Sequence, residues 1–430
     1  MIRPSLRLLT LALVALVATI IAMAMGDVVR DGALLFWVGL AAFAAADLYM
    51  SVKRGQQINV EAPAEVFVGE TGELTLRAAG DILAQGARVE WPVGLEGPAD
   101  AALSTLIDGV ATIPFRARRR GQWRVERMWL YWPSRFALFE FTPRLKLEVS
   151  IAATPNIRPV QSGQIDVAVR SQLYGVKDNL MVGEGSEFHQ LREFTTGMDV
   201  RGIDWKRSAR HRNLVAREMR AERNHHIIIA LDNGYLMREE VAGLPKIDHA
   251  VNAGLAIAWA AALGGDLVGL YAFDARPRLF APPEPGRTAF NRMRARTAEM
   301  DYASVETNHT LAMAELYART PRRSLIVVFS DFVDATTAEL LVENVTLLSK
   351  RHVIVFVALS NPDITAMATG APKSLDDVAN AVSAGQMIKE RRVVMERLTR
   401  LGVVVVDTSP DKVTAKLVST YLDLKAREVI

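Results

Sequence analysis

Apolar positions along this chain change their period three times, and each change marks an expected structural block. Two long apolar stretches come first. Leu8–Met25, LLTLALVALVATIIAMAM, is uncharged over eighteen residues. As a helix rising about 1.5 Å per residue it spans roughly 27 Å, close to a bilayer core. After GDVVRDG comes Ala33–Met50, ALLFWVGLAAFAAADLYM, whose one charge, Asp47, lies near its far end, within expected reach of lipid headgroups. Arg3 and Arg7 precede the first run, while Lys53 and Arg54 follow the second. The positive-inside rule then predicts a transmembrane helical hairpin over residues 1–54 with both ends in the cytoplasm. A cleaved signal peptide ending at AMAM, before Gly26, is the competing pattern, and there too Lys53 and Arg54 hold the body inside. The expected location is the inner (cytoplasmic) membrane, with the soluble domains facing the cytoplasm.

From residue 55 to 160 the period shortens. GELTLRAAG, GVATIPFRARRRGQW and LKLEVSIAATP alternate apolar with polar residues and are broken by Gly and Pro. Alternation puts every second side chain on one face of a strand. Several short strands at this spacing predict a β-sandwich-like domain. Within it, RRRGQW (Arg118–Trp123) is expected as a hairpin turn at Gly121 with exposed arginines.

From residue 225 to 430 the texture is strand and helix in turn. HHIIIALD (His225–Asp232), DLVGLYAFD, SLIVVFSD (Ser324–Asp331), HVIVFVAL and GVVVVDTS are continuous apolar runs, as strands covered on both faces should be. IDHAVNAGLAIAWAAALGG, Arg287–Met300, TLAMAELYART, TAELLVENVTLLSK, Gln386–Leu401 and Lys412–Leu424 read as helices, and a Pro-rich turn follows the second strand. The predicted class is α/β, a doubly wound parallel sheet with helices on both faces. Ligands of such sheets bind outside the carboxyl ends of the strands, near the topological switch point. Asp232 and Asp331 each close an apolar strand at that edge. No Gly-rich loop opens the domain, which argues against nucleotide binding of the Rossmann or P-loop kind.

Composition narrows the function classes. Of 430 residues, 50% are hydrophobic and 23% charged, the balance of a folded chain. The net charge of +3 is too small for wholesale nucleic-acid binding. The chain has no Cys, which excludes disulfides, thiolate zinc sites and a Cys nucleophile.

Between sandwich and sheet, residues 161–224 form a charged connector. Glu187, Glu193, Asp199, Asp204, Glu218 and Glu222 are interleaved with arginines. A nucleic-acid arm is more one-sided and carries stacking aromatics at intervals, so no nucleic-acid partner is expected. A hydrolase would draw its acid and base from Glu193, Asp199 and Asp204, yet no nucleophile with an activating base lies nearby, and His189 and His211 lack metal-ligand spacing. The simpler expectation is a structural clasp. In it Arg192, Arg201 and Arg210 pair with acidic neighbours, and Trp205 serves as an apolar anchor.

GEGSEFHQLREFTTGMDVRGIDWKRSAR (Gly183–Arg210) also resembles the signature of the DUF58 proteins. The matching elements are Gly-x-Gly-x-Glu-Phe, Leu-Arg-Glu-aromatic, Gly-x-Asp-x-Arg-x-Ile-Asp-Trp and Ser-Ala-Arg. DUF58 proteins are bacterial, membrane-anchored and carry a von Willebrand factor A-like domain, and many are encoded beside MoxR-type AAA+ ATPases. The resemblance implies an A-like domain over residues 225–430 and a MoxR-like ATPase as partner. It favours a non-enzymatic protein-interaction module; a hydrolase using the signature, a metal-dependent adhesion module and a purely structural scaffold are the alternatives. Intact A domains hold Mg²⁺ or Mn²⁺ with an Asp-x-Ser-x-Ser motif, a later Thr and a later Asp, all hard oxygen donors. Here the motif reads Asp232-Asn233-Gly234-Tyr235-Leu236. Asp232 is kept, both Ser positions are lost, and Thr310 and Asp331 match the remaining elements, so the resemblance implies a degenerate metal site.

Overall fold

The computed structural model describes residues 2–23, 27–52, 58–78, 86–102, 110–163, 165, 187–195, 198, 200–211, 213–220, 224–332 and 335–430. The chain divides into two units, Met1–Thr154 and Pro155–Ile430.

Both opening apolar runs are helices, α1 (Leu6–Met23) and α2 (Asp27–Val52). Side chains are described from Leu6 to Ile21 and from Leu35 to Ser51, and no helix among the described residues is long and apolar enough to cross a membrane. The expected transmembrane hairpin therefore lacks support from the described residues, although the expected helices are present. Asp47 is placed differently from expectation. It is fully buried, accepting hydrogen bonds from Ser134 Oγ at 2.5 Å and from the Phe136 amide at 3.1 Å. A carboxyl group out of water needs hydrogen-bond partners, and the turn after the strand Gly121–Pro133 supplies them.

The rest of the first unit is a two-layer β structure. In chain order its strands are β1 (Ile2–Pro4), β2 (Ile58–Glu61), β3 (Glu65–Phe67), β4 (Thr71–Ala78), β5 (Gly86–Val89), β6 (Leu95–Glu96), β7 (Asp100–Ala102), β8 (Val110–Ala117), β9 (Gly121–Pro133), β10 (Phe139–Phe141) and β11 (Arg144–Thr154). One sheet runs β2-β4-β8-β6; the other runs β1-β10-β9-β11-β3, with β5 added on β9 and β7 on β5. The period-2 pattern has its predicted effect along β8, where Ala111, Ile113, Phe115 and Ala117 are buried between more exposed neighbours. They meet Leu74, Leu76, Val125, Met128, Leu130 and Ile151 in one core. Gly121 makes the turn with φ +135°, a conformation open to glycine at no steric cost. The arginines before it are not exposed as expected: Arg120 is buried and Arg118 pairs with Glu96.

In the second unit, α3 (Arg158–Gln161) leads to a separate hairpin, β12 (Glu187–Glu193) against β13 (Val215–Arg220), with α4 (Trp205–His211) between them. Then come β14 (His226–Asp232), the short hairpin β15 (Glu240–Val241) and β16 (Leu244–Pro245), α5 (Lys246–Leu263), β17 (Leu267–Phe273), β18 (Pro277–Pro285), α6 (Gly286–Ala298) and α7 (His309–Arg319). The chain ends with β19 (Ser324–Phe329), α8 (Ala335–Ser349), β20 (Val353–Leu359), α9 (Pro362–Thr369), α10 (Leu375–Arg400), β21 (Val404–Thr408) and α11 (Pro410–Ala426).

The main sheet has the order β18-β17-β14-β19-β20-β21. Counted within the sheet this is 3-2-1-4-5-6, the doubly wound order, with its switch point between β14 and β19. The expected all-parallel sheet is corrected at one edge, because β18 is antiparallel to β17. PRLFAPPEP, expected as a turn, forms that strand. Proline lacks an amide donor and is tolerated where only one side of the strand is paired. Central strands β14, β17 and β20 are buried at every residue after the first. Ile228, Tyr271, Phe273, Ile326, Val328 and Phe356 share one core with Ala312, Leu316, Leu341, Val345 and Leu398 of α7, α8 and α10.

At the amino edge of the sheet, α11 is fixed by a buried carboxylate. Asp266, fully buried, accepts from Tyr421 OH at 2.5 Å, Lys425 Nζ at 2.6 Å and the His225 amide at 3.2 Å. Burial pushes its carboxyl up, but the hydrogen bond from His225 and the charge of Lys425 outweigh burial and hold it below the usual carboxylate range.

Candidate functional site

The carboxyl ends of β14 and β19 meet where strand order reverses, and the polar side chains of the sheet gather there. β14 delivers Asp232, 1% exposed, and β19 is followed by Ser330 and Asp331, 1% and 4% exposed. A loop before α7 lies across these ends. Tyr235 donates its amide to Val305 O at 2.9 Å, and Asn308 donates its amide to Asp274 O at 3.0 Å. Asn308 also caps α7 by accepting from the Leu311 amide at 3.0 Å. The loop thereby brings Thr307 and His309 onto the strand ends.

Asp232 is fully engaged. Its Oδ1 accepts from the Gly234 amide at 2.8 Å and from Thr307 Oγ1 at 2.6 Å, and its Oδ2 accepts from Ser330 Oγ at 2.6 Å. His309 Nε2 lies 3.4 Å from Oδ2 and 3.0 Å from Ser330 Oγ. Gly234 has a steric reason to be glycine: a Cβ there would lie 1.9 Å from Thr307 Oγ1. The Thr307 hydroxyl fills space that a side chain at 234 would need.

Asp331 is held by cations. Its Oδ2 accepts from Lys246 Nζ at 2.6 Å, and its Oδ1 accepts from Arg391 Nη1 at 2.9 Å and from the Phe332 amide at 3.0 Å. Lys246 opens α5, is 5% exposed, and also pairs with Glu239, which accepts from Asn361 Nδ2 at 3.0 Å. Arg391 reaches from α10 to Asp407 on β21 at 3.2 Å. Burial works against the Arg391 charge, but the Asp331 and Asp407 carboxylates outweigh it and raise the guanidinium's pKa.

Of the three residues expected to share a metal, the structure brings together Asp232 and Asp331 alone. Thr310 is exposed on α7, and its hydroxyl accepts from Asn344 Nδ2 at 3.0 Å on the neighbouring helix. Sequence reasoning missed Thr307, Ser330, Lys246 and Arg391. The signal for Thr307 was its place just before the Asn308 cap, and for Ser330 its place beside Asp331.

The connector residues form a second candidate site. Glu187 opens β12, and its side chain lies outside the described residues, as do Asp199 and the side chain of Arg201. Arg192 and Arg210 are exposed, and neither has an ion pair among the described residues, so the expected clasp through them is not seen there. Glu193 accepts from Asn213 Nδ2 at 3.1 Å across the hairpin ends. Asp204 caps α4, its Oδ1 accepting from the Arg207 amide at 3.1 Å. Trp205 departs from expectation: at the first turn of α4 it is 65% exposed, so the expected apolar anchor is not seen among the described residues. Ser208 is the actual pivot, buried, donating to Asp204 O at 2.8 Å and accepting from the Val215 amide at 2.9 Å.

Residues 190–400, spanning this connector and most of the sheet, match the family model "Protein of unknown function DUF58". The chain belongs to the DUF58 family. An uncharacterized protein of Mycobacterium tuberculosis (strain ATCC 25618 / H37Rv) is 30% identical to this DUF58 chain over 175 residues, 39% of this chain and 55% of that protein. An uncharacterized protein of Mycobacterium bovis matches to the same extent. The alignment thus spans about half the length of each relative. Among solved structures, the conserved hypothetical protein BatB from Bacteroides thetaiotaomicron aligns at 16% identity and TM-score 0.32, over 47% of this chain and 100% of that one. Proximal thread matrix protein 1 from the mussel byssus, with a zinc-occupied MIDAS motif, aligns at 13% identity and TM-score 0.27, over 47% of this chain and 46% of that one.

A divalent ion does not fit the DUF58 sheet edge as built. The oxygens of Asp232 and Asp331 already accept six hydrogen bonds between them, three each, of which two come from cationic side chains on Asp331. A divalent ion about 4 Å from the Lys246 ammonium would be repelled by about 8 kcal/mol at an effective dielectric near 20. That cancels the attraction of one carboxylate at the same distance. Among the described residues no group of three or more His, Asp or Glu is placed to hold a metal. Ser330, His309 and Asp232 do not make a nucleophile relay either. His309 turns the same nitrogen to Ser330 and to Asp232, whereas a relay uses opposite ring nitrogens.

Proposed function

We propose that this DUF58 protein is a membrane-anchored, non-enzymatic protein-interaction module with a von Willebrand factor A-like second unit, working with a MoxR-type AAA+ ATPase in the assembly or maturation of other proteins. The observation that carries the non-enzymatic part is the sheet edge itself. Its carboxylates are buried and already hydrogen-bonded, so none is left as a free acid or base. A surface at a switch point with no reactive group is suited to contact rather than turnover.

Membrane attachment is supported by the surface of the first two helices. Leu13, Val14 and Ile20 on α1 are 60–66% exposed, and Leu35, Phe36 and Val38 on α2 are 58–73% exposed. Exposed apolar side chains in such number are what a membrane or partner site presents. With Arg3 and Arg7 before the helices and Lys53 and Arg54 after them, the positive-inside rule favours the chain beyond residue 54 facing the cytoplasm at the inner membrane. The ATPase partnership rests on the family resemblance alone.

Two measurements test this function. The full chain should stay with the membrane pellet through alkaline carbonate washing and leave it only with detergent. Affinity capture from those membranes, read by mass spectrometry, should enrich a MoxR-type ATPase. Release by carbonate refutes the anchor, and capture without any such ATPase refutes the partnership. Hydrolytic turnover by purified protein, lost in Glu193→Gln, would replace the interaction module with an enzyme.

A further inference from the structure

Lys246 is an unusual residue for its position. It is the first residue of α5, where unpaired amides give the helix a positive end and a basic side chain is disfavoured. It is also 5% exposed, though an ammonium seldom leaves water without partners. Both costs are offset by two carboxylates. Asp331 Oδ2 lies 2.6 Å from Nζ, and Glu239 closes on the same nitrogen from the loop after β14. Arg391 holds the other oxygen of Asp331 at 2.9 Å. Beside them, Thr307 and Ser330 saturate Asp232 at 2.6 Å each.

We propose that the Lys246 ammonium is the resident cation of this sheet edge, supplying the charge that would otherwise call for a divalent metal ion. Three observations support this independently. The ammonium and the Arg391 guanidinium already neutralise Asp331 from both sides. Thr307 Oγ1 stands 1.9 Å from where a Cβ at Gly234 would lie, so a serine cannot return a ligand there without moving the loop. Thr310, the expected third ligand, bonds instead to Asn344. The domain is therefore built to work without a divalent ion. Removing the ammonium leaves the carboxylates of Asp331 and Glu239 facing the space it held, with Arg391 still on the other oxygen of Asp331; these are hard oxygen donors of the kind Mg²⁺ and Mn²⁺ prefer.

The test uses the full chain in detergent, with thermal unfolding followed in EDTA, Mg²⁺ and Mn²⁺ and bound Mn²⁺ counted by electron paramagnetic resonance. Wild-type protein should melt at one temperature in all three conditions and hold no Mn²⁺. Lys246→Ala should melt roughly 5–10 °C lower in EDTA, as expected for breaking a buried pair. It should regain most of that loss with Mn²⁺, saturably. Lys246→Arg, which keeps the charge, should remain indifferent to metal. If truncation to Ala prevents folding, Lys246→Met keeps the stem's volume without the charge and serves in its place. Saturable Mn²⁺ binding by wild-type protein overturns the proposal. So does a charge-removing variant as stable as wild type, or one that metal fails to restore.

Discussion

His352 should make this protein acid-sensitive in a way one substitution removes. The residue sits between α8 and β20, 3% exposed, and neither ring nitrogen has a hydrogen-bond partner among the described residues. Its ring meets Tyr317 edge-on, with centroids 6.1 Å apart. Burial, aided by the charge of Arg351, lowers its pKa from 6.5 to about 4. The fold therefore accepts the neutral ring and rejects the imidazolium. The folded value lies below the unfolded one, so the contribution is complete above pH 6.5 and is lost as pH falls toward 4. Linkage over that interval costs about 2 kcal/mol by pH 5 and about 3 kcal/mol by pH 4. Urea unfolding of wild type and His352→Leu at pH 7.5, 6 and 5 isolates the effect, because every other titration cancels in the difference. The variant should be no less stable than wild type at pH 7.5, since two desolvated nitrogens worth about 1–3 kcal/mol each disappear. At pH 5 it should lead by about 2 kcal/mol more than at pH 7.5. Parallel pH profiles for the two proteins would show that the ring is not buried uncharged, and the reasoning would fail.

Three further outcomes follow from the geometry. Trp205→Ala should change stability by less than about 0.5 kcal/mol, because the side chain is 65% exposed; a large loss in chemical denaturation would restore the clasp. Gly234→Ala should cost about 1–3 kcal/mol by the same assay, since its Cβ would meet Thr307 Oγ1 at 1.9 Å, and the paired change with Thr307→Ala should recover part of it. Lys425→Met should cost roughly 3 kcal/mol at neutral pH by leaving Asp266 buried without its cation, and an unchanged unfolding midpoint would contradict that.

Much of the fold was legible because period alone decides it. Between their ends, runs such as HIIIALD and VIVFVAL have no polar position to turn toward water, so they had to be covered on both faces. In β8 every second residue is buried, and its partner sheet follows from the same alternation. PRLFAPPEP was misread because its prolines suggest a turn until one asks whether the strand needs a second neighbour. Asp47 was misread for a related reason: hydropathy sees one charge near a helix end, and cannot see the hydroxyl and amide of a distant turn folded onto it. Trp205 was assigned to the interior on size alone, whereas the small hydroxyl of Ser208 ties the connector together.

The site was half legible, and its missing half left a trace. Asp232 and Asp331 could be placed because strand ends and the switch point follow from topology. Their partners come from three other segments, at positions 246, 307 to 309 and 391, and no local pattern links those numbers. Yet Lys246 breaks a local rule that the sequence displays openly. A lysine directly after Pro245, opening an eighteen-residue helix of mostly buried apolar residues, stands where the helix end is already positive. Such a residue costs about 0.3–1 kcal/mol unless something negative meets it. Two strand-end aspartates with no metal motif to occupy them supply the complementary puzzle. Each anomaly is the other's explanation, and a local rule broken at a strand edge was the one sign in the sequence that the edge carries its own cation.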